Sequence, residues 1–440
     1  MKKLIAILLT FILVFGLAAC GGDSNTSSDN VSSKDEASSV GTNTSNDDNT
    51  SSDDDNTSSD DGNTSSDDNT SSEPTSNDTP IKETKNMQLL FDDFYDFNKD
   101  GAIAVKSSDT EKITVSGTEI RAVGVTSKPV TVTVTLNNNT AIAYNITVKK
   151  AKLNIVIVAG QSNAMGHTGG VPADALKYNS TTCVKGSTFL WGSTATEPAL
   201  FLGNSKTDGI RAGLAAQWYE LSKKAGDIEK TVIIWEEGHT SASGAPIDYF
   251  LEQNGTRATY IKTAKMVNAC YDYYTTGAGA KGYDIVNCGL YWFQGESNLS
   301  MSFITYEKKF MEYFNGINSL ASNRVKYCGF MRIRNGVGPR ALDVASNGAH
   351  MAQKELVKNN DNMYMASVIT GQWKGDGKNT VNVDISKYDI FGEEQYKNIV
   401  SGTTLTEKQE NIYGGLHYGP LGFNILGADA AVTMFAELHK

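Results

Sequence analysis

Three short segments hold the residue types that acyl-transfer chemistry needs. The first is Gly160-Gln161-Ser162-Asn163-Ala164-Met165-Gly166, a hydroxyl on a small glycine-bearing turn. The second is Gln294-Gly295-Glu296-Ser297-Asn298, which sets an amide and a carboxyl on either side of a glycine. The third is Gly414-Gly415-Leu416-His417-Tyr418-Gly419-Pro420, a glycine-rich loop carrying an imidazole. A serine hydroxyl is a weak nucleophile at its own pKa. It needs an adjacent base, usually histidine, and donors for the oxyanion that forms on the attacked carbonyl. Any one of these loops alone reads as structure. Together they offer a nucleophile, a base and an amide-plus-carboxylate loop.

The elements around them alternate in type. Leu153–Ala159 is an almost unbroken apolar run, as expected of a strand buried on both faces. Further strands are predicted at Thr231–Trp235, Asp284–Trp292, Val325–Ile333 and Met363–Ile369. Helices are predicted at Gly213–Lys224, Ala258–Tyr274, Phe303–Asn318 and Leu421–Leu438. This alternation predicts an α/β fold with a parallel sheet and helices on both faces. Sites in that architecture lie at the carboxyl ends of strands. Ser162 follows the first strand and Gln294 the third. His417 precedes the last helix.

Gly160-Gln161-Ser162-Asn163, Gln294-Gly295-Glu296-Ser297 and the late Leu416-His417 resemble the SGNH hydrolases. The branch they match contains carbohydrate esterase family six and the sialate O-acetylesterase-like domains. The resemblance covers residues 151–440, with the three blocks in order. It implies a three-layer α/β/α flavodoxin-like fold and removal of O-acetyl groups from sugars, without metal or other cofactor. Ser162 is then the nucleophile and His417 the base. Gln294 is expected to donate its side-chain amide to the oxyanion beside the backbone N–H of Ser162. Gly209 or Gly213 would give a second backbone donor, with Gly213 favoured. Gln161, Asn163 and His239, in the loop Gly238-His239-Thr240-Ser241, are expected at the substrate. The chain departs from the family at Gly414, where most members carry Asp three residues before the histidine. Glu296 is the first candidate to orient His417. A Ser–His dyad held by a backbone carbonyl is the second, and Glu410 the third.

Other residues read more plainly. Trp373, in the polar loop Gly371-Gln-Trp-Lys-Gly375, is the candidate platform for a sugar ring. His167 is expected at the pocket or on a surface loop, and His350 and His439 in solvent. No His/Cys/Asp group has metal-ligand spacing. Asp96-Phe-Asn-Lys-Asp-Gly101 matches the opening of a calcium loop, but its twelfth position is Ser107, where a bidentate Glu is needed, so it reads as a solvated turn. Cys288 and Cys328 read as buried thiols. Cys183 and Cys270 leave a disulfide open.

Before this domain, residues 87–150 read as a small β domain. Val130-Thr-Val-Thr-Val-Thr-Leu136 alternates strictly. Ser107-Ser108-Asp109, Val115-Ser116-Gly117, Ala122-Val123-Gly124 and Val130–Thr133 resemble bacterial immunoglobulin-like domains of the group 2 type. Such domains act as spacers or adhesion modules, and spacer is the expectation here. Residues 21–86 are Ser, Asp, Asn, Thr and Gly, with Asn-Thr-Ser-Ser recurring at Asn49, Asn56, Asn63 and Asn69. They are too polar to bury a core and are expected to be a solvated tether reaching about 45 Å. Met1–Cys20 reads as a secretory signal, with Lys2 and Lys3 before the apolar run Leu4–Leu17. Its end, Leu17-Ala18-Ala19-Cys20, resembles the bacterial lipobox. That implies a diacylglyceryl group on Cys20 and an exported protein anchored to the outer face of a cell membrane.

The 440 residues carry a net charge of −11. The acidity is local: residues 21–86 hold 13 Asp, 3 Glu and 3 Lys, and residues 87–440 balance to zero. The folded part has no basic patch for nucleic acid. Only the N-terminal segment reads as apolar enough for a bilayer, which excludes a polytopic membrane protein. The family resemblance implies an acetylated polysaccharide such as xylan as partner, and the lipobox a membrane, through lipid. An acetylated sialic acid is the rival substrate. The rival to catalysis is a surface carbohydrate-binding or adhesion protein.

Overall fold

The computed structural model describes residues 79–168, 178–252, 258–298, 300–334, 347–371, 373, 380–396, 402, 404–414 and 417–440. The signal segment, Cys20 and most of the tether lie outside the described residues.

The chain first builds a two-sheet β module. Its strands are β1 (Ile81–Leu90), β2 (Phe94–Asp96), β3 (Ala102–Ser107), β4 (Ile113–Ser116), β5 (Glu119–Ala122), β6 (Val130–Leu136) and β7 (Ala141–Lys149). One sheet runs β1-β7-β6-β3 and the other β2-β5-β4. The alternation of β6 does what the sequence predicts: Val130, Val132 and Val134 point into the module's core beside Phe97, Ile113 and Ile120. The first strand begins at Ile81, so residues 81–86 belong to this module and not to the tether. Their side chains are mostly exposed, which is why composition alone assigns them to the polar segment. Asp96 caps a short turn, accepting from Asn98 N at 2.9 Å and Thr118 Oγ1 at 2.7 Å. Among the described residues no group of acidic, His or Cys side chains is arranged to hold a metal.

Only Lys150 separates β7 from β8 (Ala151–Gly160), the central strand of the second module. Then come α1 (Ser162–Met165), β9 (Thr188–Trp191), β10 (Ala199–Leu200), α2 (Ile210–Lys224) and β11 (Glu229–Ile234). They are followed by α3 (Ile247–Leu251), α4 (Thr259–Thr275), β12 (Tyr283–Phe293), α5 (Phe303–Leu320) and β13 (Tyr327–Met331). The chain goes on through α6 (Gly348–Asn359), β14 (Met363–Ser367), β15 (Thr380–Asp384) and β16 (Thr404–Lys408). It closes with α7 (Gln409–Ile412), β17 (Tyr413–Gly414), β18 (His417–Tyr418) and α8 (Pro420–Leu438).

The large sheet runs β10-β9-β11-β8-β12-β13-β14, parallel except for the edge strand β10. β8, β11 and β13 are buried along most of their length, so both faces are covered. α2 packs on α8, while α3, α4, α5 and α6 form a second helical group. α8 is long and apolar enough to cross a membrane by length and composition, but two thirds of it is buried. It is apolar on nearly every side because it lies inside the domain. The tight α2–α8 contact depends on Gly213: a Cβ there would lie 2.4 Å from the carbonyl oxygen of Asn424.

The two modules share a buried junction. Asp92 accepts from Arg121 at 2.6 Å within the β module and from Tyr283 Oη at 2.8 Å across the junction. The fully buried Lys230 ammonium donates to Phe91 O at 2.6 Å and pairs with Asp93 at 2.8 Å. Burial pulls this lysine below its ordinary pKa, and Asp93 offsets part of that. The ring of Phe91 packs edge-on against Tyr283 at 5.3 Å. The β module is fixed to the α/β module by these hydrogen bonds.

All four cysteines of the folded part are buried and free, so Cys183 and Cys270 form no disulfide. Burial raises the thiols of Cys183 and Cys288 to about 12. His350 is not solvated, whereas His439 is exposed, as expected. His350 is buried, which lowers it to about 4. His439 stacks on Phe435 at 3.9 Å and reaches Glu229 Oε1 at 2.9 Å.

Candidate active site

The register of β8 on β12 brings the first two sequence blocks together. Gly160 pairs with Phe293, so Gln161-Ser162 and Gln294-Gly295-Glu296 leave the sheet side by side. Gly160 has φ +140°, and a Cβ there would lie 2.1 Å from Phe293 O. Only glycine lets the chain turn this close to its neighbour. The strands that flank β8 follow it in the chain on opposite sides, β11 on one and β12 on the other. Ser162 thus sits at the switch point where open α/β sheets place their sites.

Ser162 opens the single-turn α1 and is 3 % exposed. One turn of helix is not stable alone. Here its two neighbours hold it in a reciprocal clasp. Gln161 Oε1 accepts from Gly295 N at 3.3 Å and Ser297 N at 3.2 Å. Asn163 Nδ2 donates to Glu296 Oε1 at 2.9 Å in the opposite sense. The bonds to Gly295 N and from Asn163 are buried. Gln161 and Asn163, expected at the substrate, therefore spend their side chains on positioning the serine. The N–H groups of Ser162 and Asn163 lie in the first turn, where a helix supplies no internal acceptor.

His417 arrives at the same sheet edge from the far end of the chain. Its neighbour Tyr418 stacks on Phe293 at 5.9 Å, the residue whose carbonyl accepts from Gln161 N at 3.0 Å. The His417 ring lies 5.8 Å from that of His167, five residues past Ser162. Phe293 thus ties the three blocks together. In the two-residue ladder of β17 and β18, Gly414 pairs directly with His417. The position that would carry the orienting Asp is beside the histidine and has no side chain to offer.

Several expectations are corrected by this geometry. Gln294 is fully buried with its amide committed. Nε2 donates to Ala245 O at 3.1 Å and Asn298 Oδ1 at 2.6 Å, and Oε1 accepts from Tyr306 Oη at 2.7 Å. It braces the loop and leaves no N–H for an oxyanion. Gly213 lies inside α2, where its N–H falls within the helical ladder and its missing Cβ serves packing on α8. Gly209 is the glycine that reaches the serine turn, packing on Gly166. Glu296 meets Asn163 and not His417. Its Oε2 is buried without a partner, and burial raises the carboxyl to about 7 despite Asn163 and the nearby Arg334. Trp373 is fully buried against Tyr418 at 5.6 Å and is no sugar platform. The His239 ring faces Glu236 and Glu237 O on its own loop, and among the described residues no ring contact or hydrogen bond joins it to Ser162. The side chain of Glu410 lies outside the described residues.

Sequence reasoning missed Arg211. Its guanidinium is buried, lies 3.7 Å over the ring of Trp235 and donates to Met165 O at 3.4 Å. Arg211 lies two residues before the predicted helix, and α2 begins at Ile210, so no sequence signal marked it for such a place.

The geometry places a serine and a histidine at the switch point of a parallel sheet in an α/β domain. No protein-family model and no curated protein matches the chain. Among solved structures it is similar to a carbohydrate acetylesterase from Xanthomonas citri, with 12 % identity over 63 % of this chain and a TM-score of 0.29. The match spans 65 % of that protein's length, just under two thirds. A protein from Arabidopsis thaliana is 14 % identical over 65 % of this chain and 98 % of its own, with a TM-score of 0.37. A lipase/acylhydrolase from Enterococcus faecalis is 9 % identical over 64 % of this chain and 93 % of its own, with a TM-score of 0.25. Likenesses at this level carry no argument about substrate or mechanism.

Proposed function

We propose that the chain is a serine-type carboxylic ester hydrolase that removes O-acetyl groups from carbohydrate. The observation that supports it best is the convergence of Ser162 and His417 on one sheet edge, from positions far apart in the chain, with Phe293 contacting both segments. Ser162 Oγ attacks the acetyl carbonyl as His417 takes its proton. The N–H groups of Ser162 and Asn163 hold the oxyanion. Collapse of the tetrahedral intermediate returns the proton from His417 to the departing sugar oxygen. Water, deprotonated by His417, then attacks the acetyl-enzyme and releases acetate. Catalysis here needs no metal or other cofactor.

An acetylated polysaccharide such as xylan is the proposed substrate, with acetylated sialate as the alternative. The absence of a side chain at Gly414 favours one further reading, a surface carbohydrate-binding protein with weak or no turnover. Export and lipid anchoring through Cys20 complete the proposal and would place the site outside the cell. The test is acetate release from acetylated xylan and from acetylated sialate by residues 79–440, without added metal. Release from either supports the esterase and ranks the substrates. Binding of the polymers without release selects the binding protein. Retained precursor when lipoprotein signal cleavage is inhibited tests Cys20.

A further inference from the structure

We infer that Arg211 is a positioning residue for the Ser162 turn, a brace at the end of α1 opposite to the Asn163–Glu296 clasp. This inference rests on the esterase reading for its kinetic consequence, and on geometry alone for the brace itself. The clasp fixes the start of α1 through Gln161 and Asn163. Nothing in that arrangement fixes the other end, and one helical turn cannot hold itself. Arg211, in the first turn of α2, does so. Its Nη1 donates to Met165 O at 3.4 Å, the last carbonyl of α1, and its Nη2 to Thr207 O at 3.0 Å. Its guanidinium plane lies 3.7 Å over Trp235, just past β11. It therefore joins α1, the turn before α2 and the end of a sheet strand in one contact.

The turn it grips is in direct contact with the serine turn. A Cβ on Gly166 would lie 2.3 Å from Thr207 O and 2.6 Å from Gly209 N. The cation sits at the carbonyl end of α1, where positive charge is favoured. Its burial is costly. Arg211 is 4 % exposed, its Nε has no hydrogen-bond partner, and among the described residues no carboxylate bonds to the guanidinium. Asp208 is near, but its Oδ2 accepts from Ser205 N at 2.8 Å. Burial correspondingly lowers the guanidinium to about 10. A buried cation kept without a bonded counter-ion is a poor device for stability alone. A planar fork that reaches two carbonyls and stacks on an indole suits a positioning role, and lysine cannot reproduce it.

The test compares Arg211→Lys and Arg211→Ala with the parent in hydrolysis of a small aryl acetate and in amide hydrogen exchange. With a misplaced nucleophile kcat falls by about 100-fold while KM stays within about threefold. Guanidinium added to Arg211→Ala restores part of kcat, and amides 162–167 exchange faster in both variants. Folded variants with parental kcat and parental exchange at those amides overturn the inference. If the parent itself hydrolyses nothing, the esterase reading fails, and the exchange arm still decides the brace. If Arg211→Ala does not fold, Arg211→Lys carries the comparison.

Discussion

Glu296 discriminates between two ways of building this site. Sequence reasoning makes it the partner of His417; the structure pairs it with Asn163 at 2.9 Å. Glu296→Gln keeps an acceptor oxygen for Asn163 and removes the charge. A hydrogen bond to a charged group contributes about 1.5–3 kcal/mol and a neutral one about 0.5–1.5. The loss is therefore about 1 kcal/mol, or roughly fivefold in kcat. Glu296→Ala removes the acceptor and leaves a buried amide unpaired, at about 1–3 kcal/mol, or roughly 5- to 150-fold. The carboxyl also leaves a signature in stability. Burial raises it to about 7, so between the ordinary carboxylate pKa and 7 the folded state binds more protons than the unfolded. Stability is then greatest at low pH within this window and falls as pH rises through 7, by about 3 kcal/mol for this group. Glu296→Gln abolishes that fall. The assay is kcat on an aryl acetate above pH 7, beside denaturant unfolding at pH 5 and pH 8. A folded Glu296→Gln that loses kcat as completely as Ser162→Ala refutes the reasoning and makes the carboxylate the partner of the imidazole.

Trp373→Ala destabilises the fold by about 3–5 kcal/mol in denaturant unfolding, and in the surviving folded fraction KM for polymer stays near the parental value. Gly213→Ala drives a methyl into the Asn424 backbone and destabilises by about 1–3 kcal/mol, seen as a lower Tm. Tyr283→Phe leaves Asp92 without its partner across the junction and costs about 1 kcal/mol, read as a shifted unfolding midpoint. Unfolding of residues 79–440 is a single transition, because Lys230, Tyr283 and Phe91 couple the modules; two separate transitions contradict the junction described above.

Much of the fold was legible where hydrophobic pattern and burial coincide. Leu153–Ala159 reads as a buried strand because the sheet is covered on both faces. The strands at 231, 284, 325 and 363 and the helices at 213, 258, 303 and 421 were found for the same reason. α6 escaped because its buried face sets His350 and Gln353 among Ala349, Ala352 and Leu356, and β15 with β16 form a short antiparallel pair outside the large sheet. Ile81–Asn86 looked like tether because an edge strand with solvent on its side chains needs no apolar alternation. Within the site, Ser162 and His417 could be picked out because a hydroxyl and an imidazole stand out on glycine-rich loops. The partners of Gln294 and Glu296 could not, since an amide or carboxyl is equally suited to substrate, oxyanion or loop. Only the β8–β12 register shows that Gln294 faces Ala245 and Asn298 and that Glu296 faces Asn163. Trp373 misled because its polar flanks hide a ring buried on Tyr418.

The central claim is that Ser162 forms an acyl-enzyme. The most direct measurement is mass spectrometry of residues 79–440 quenched with acid during turnover of an activated aryl acetate. The account predicts one added acetyl group on the peptide containing Ser162, accumulating when His417 is replaced by Ala only as slowly as acylation without a base allows, and absent in Ser162→Ala. Acetate release with no acetyl on that peptide, or an undiminished rate in Ser162→Ala, contradicts it.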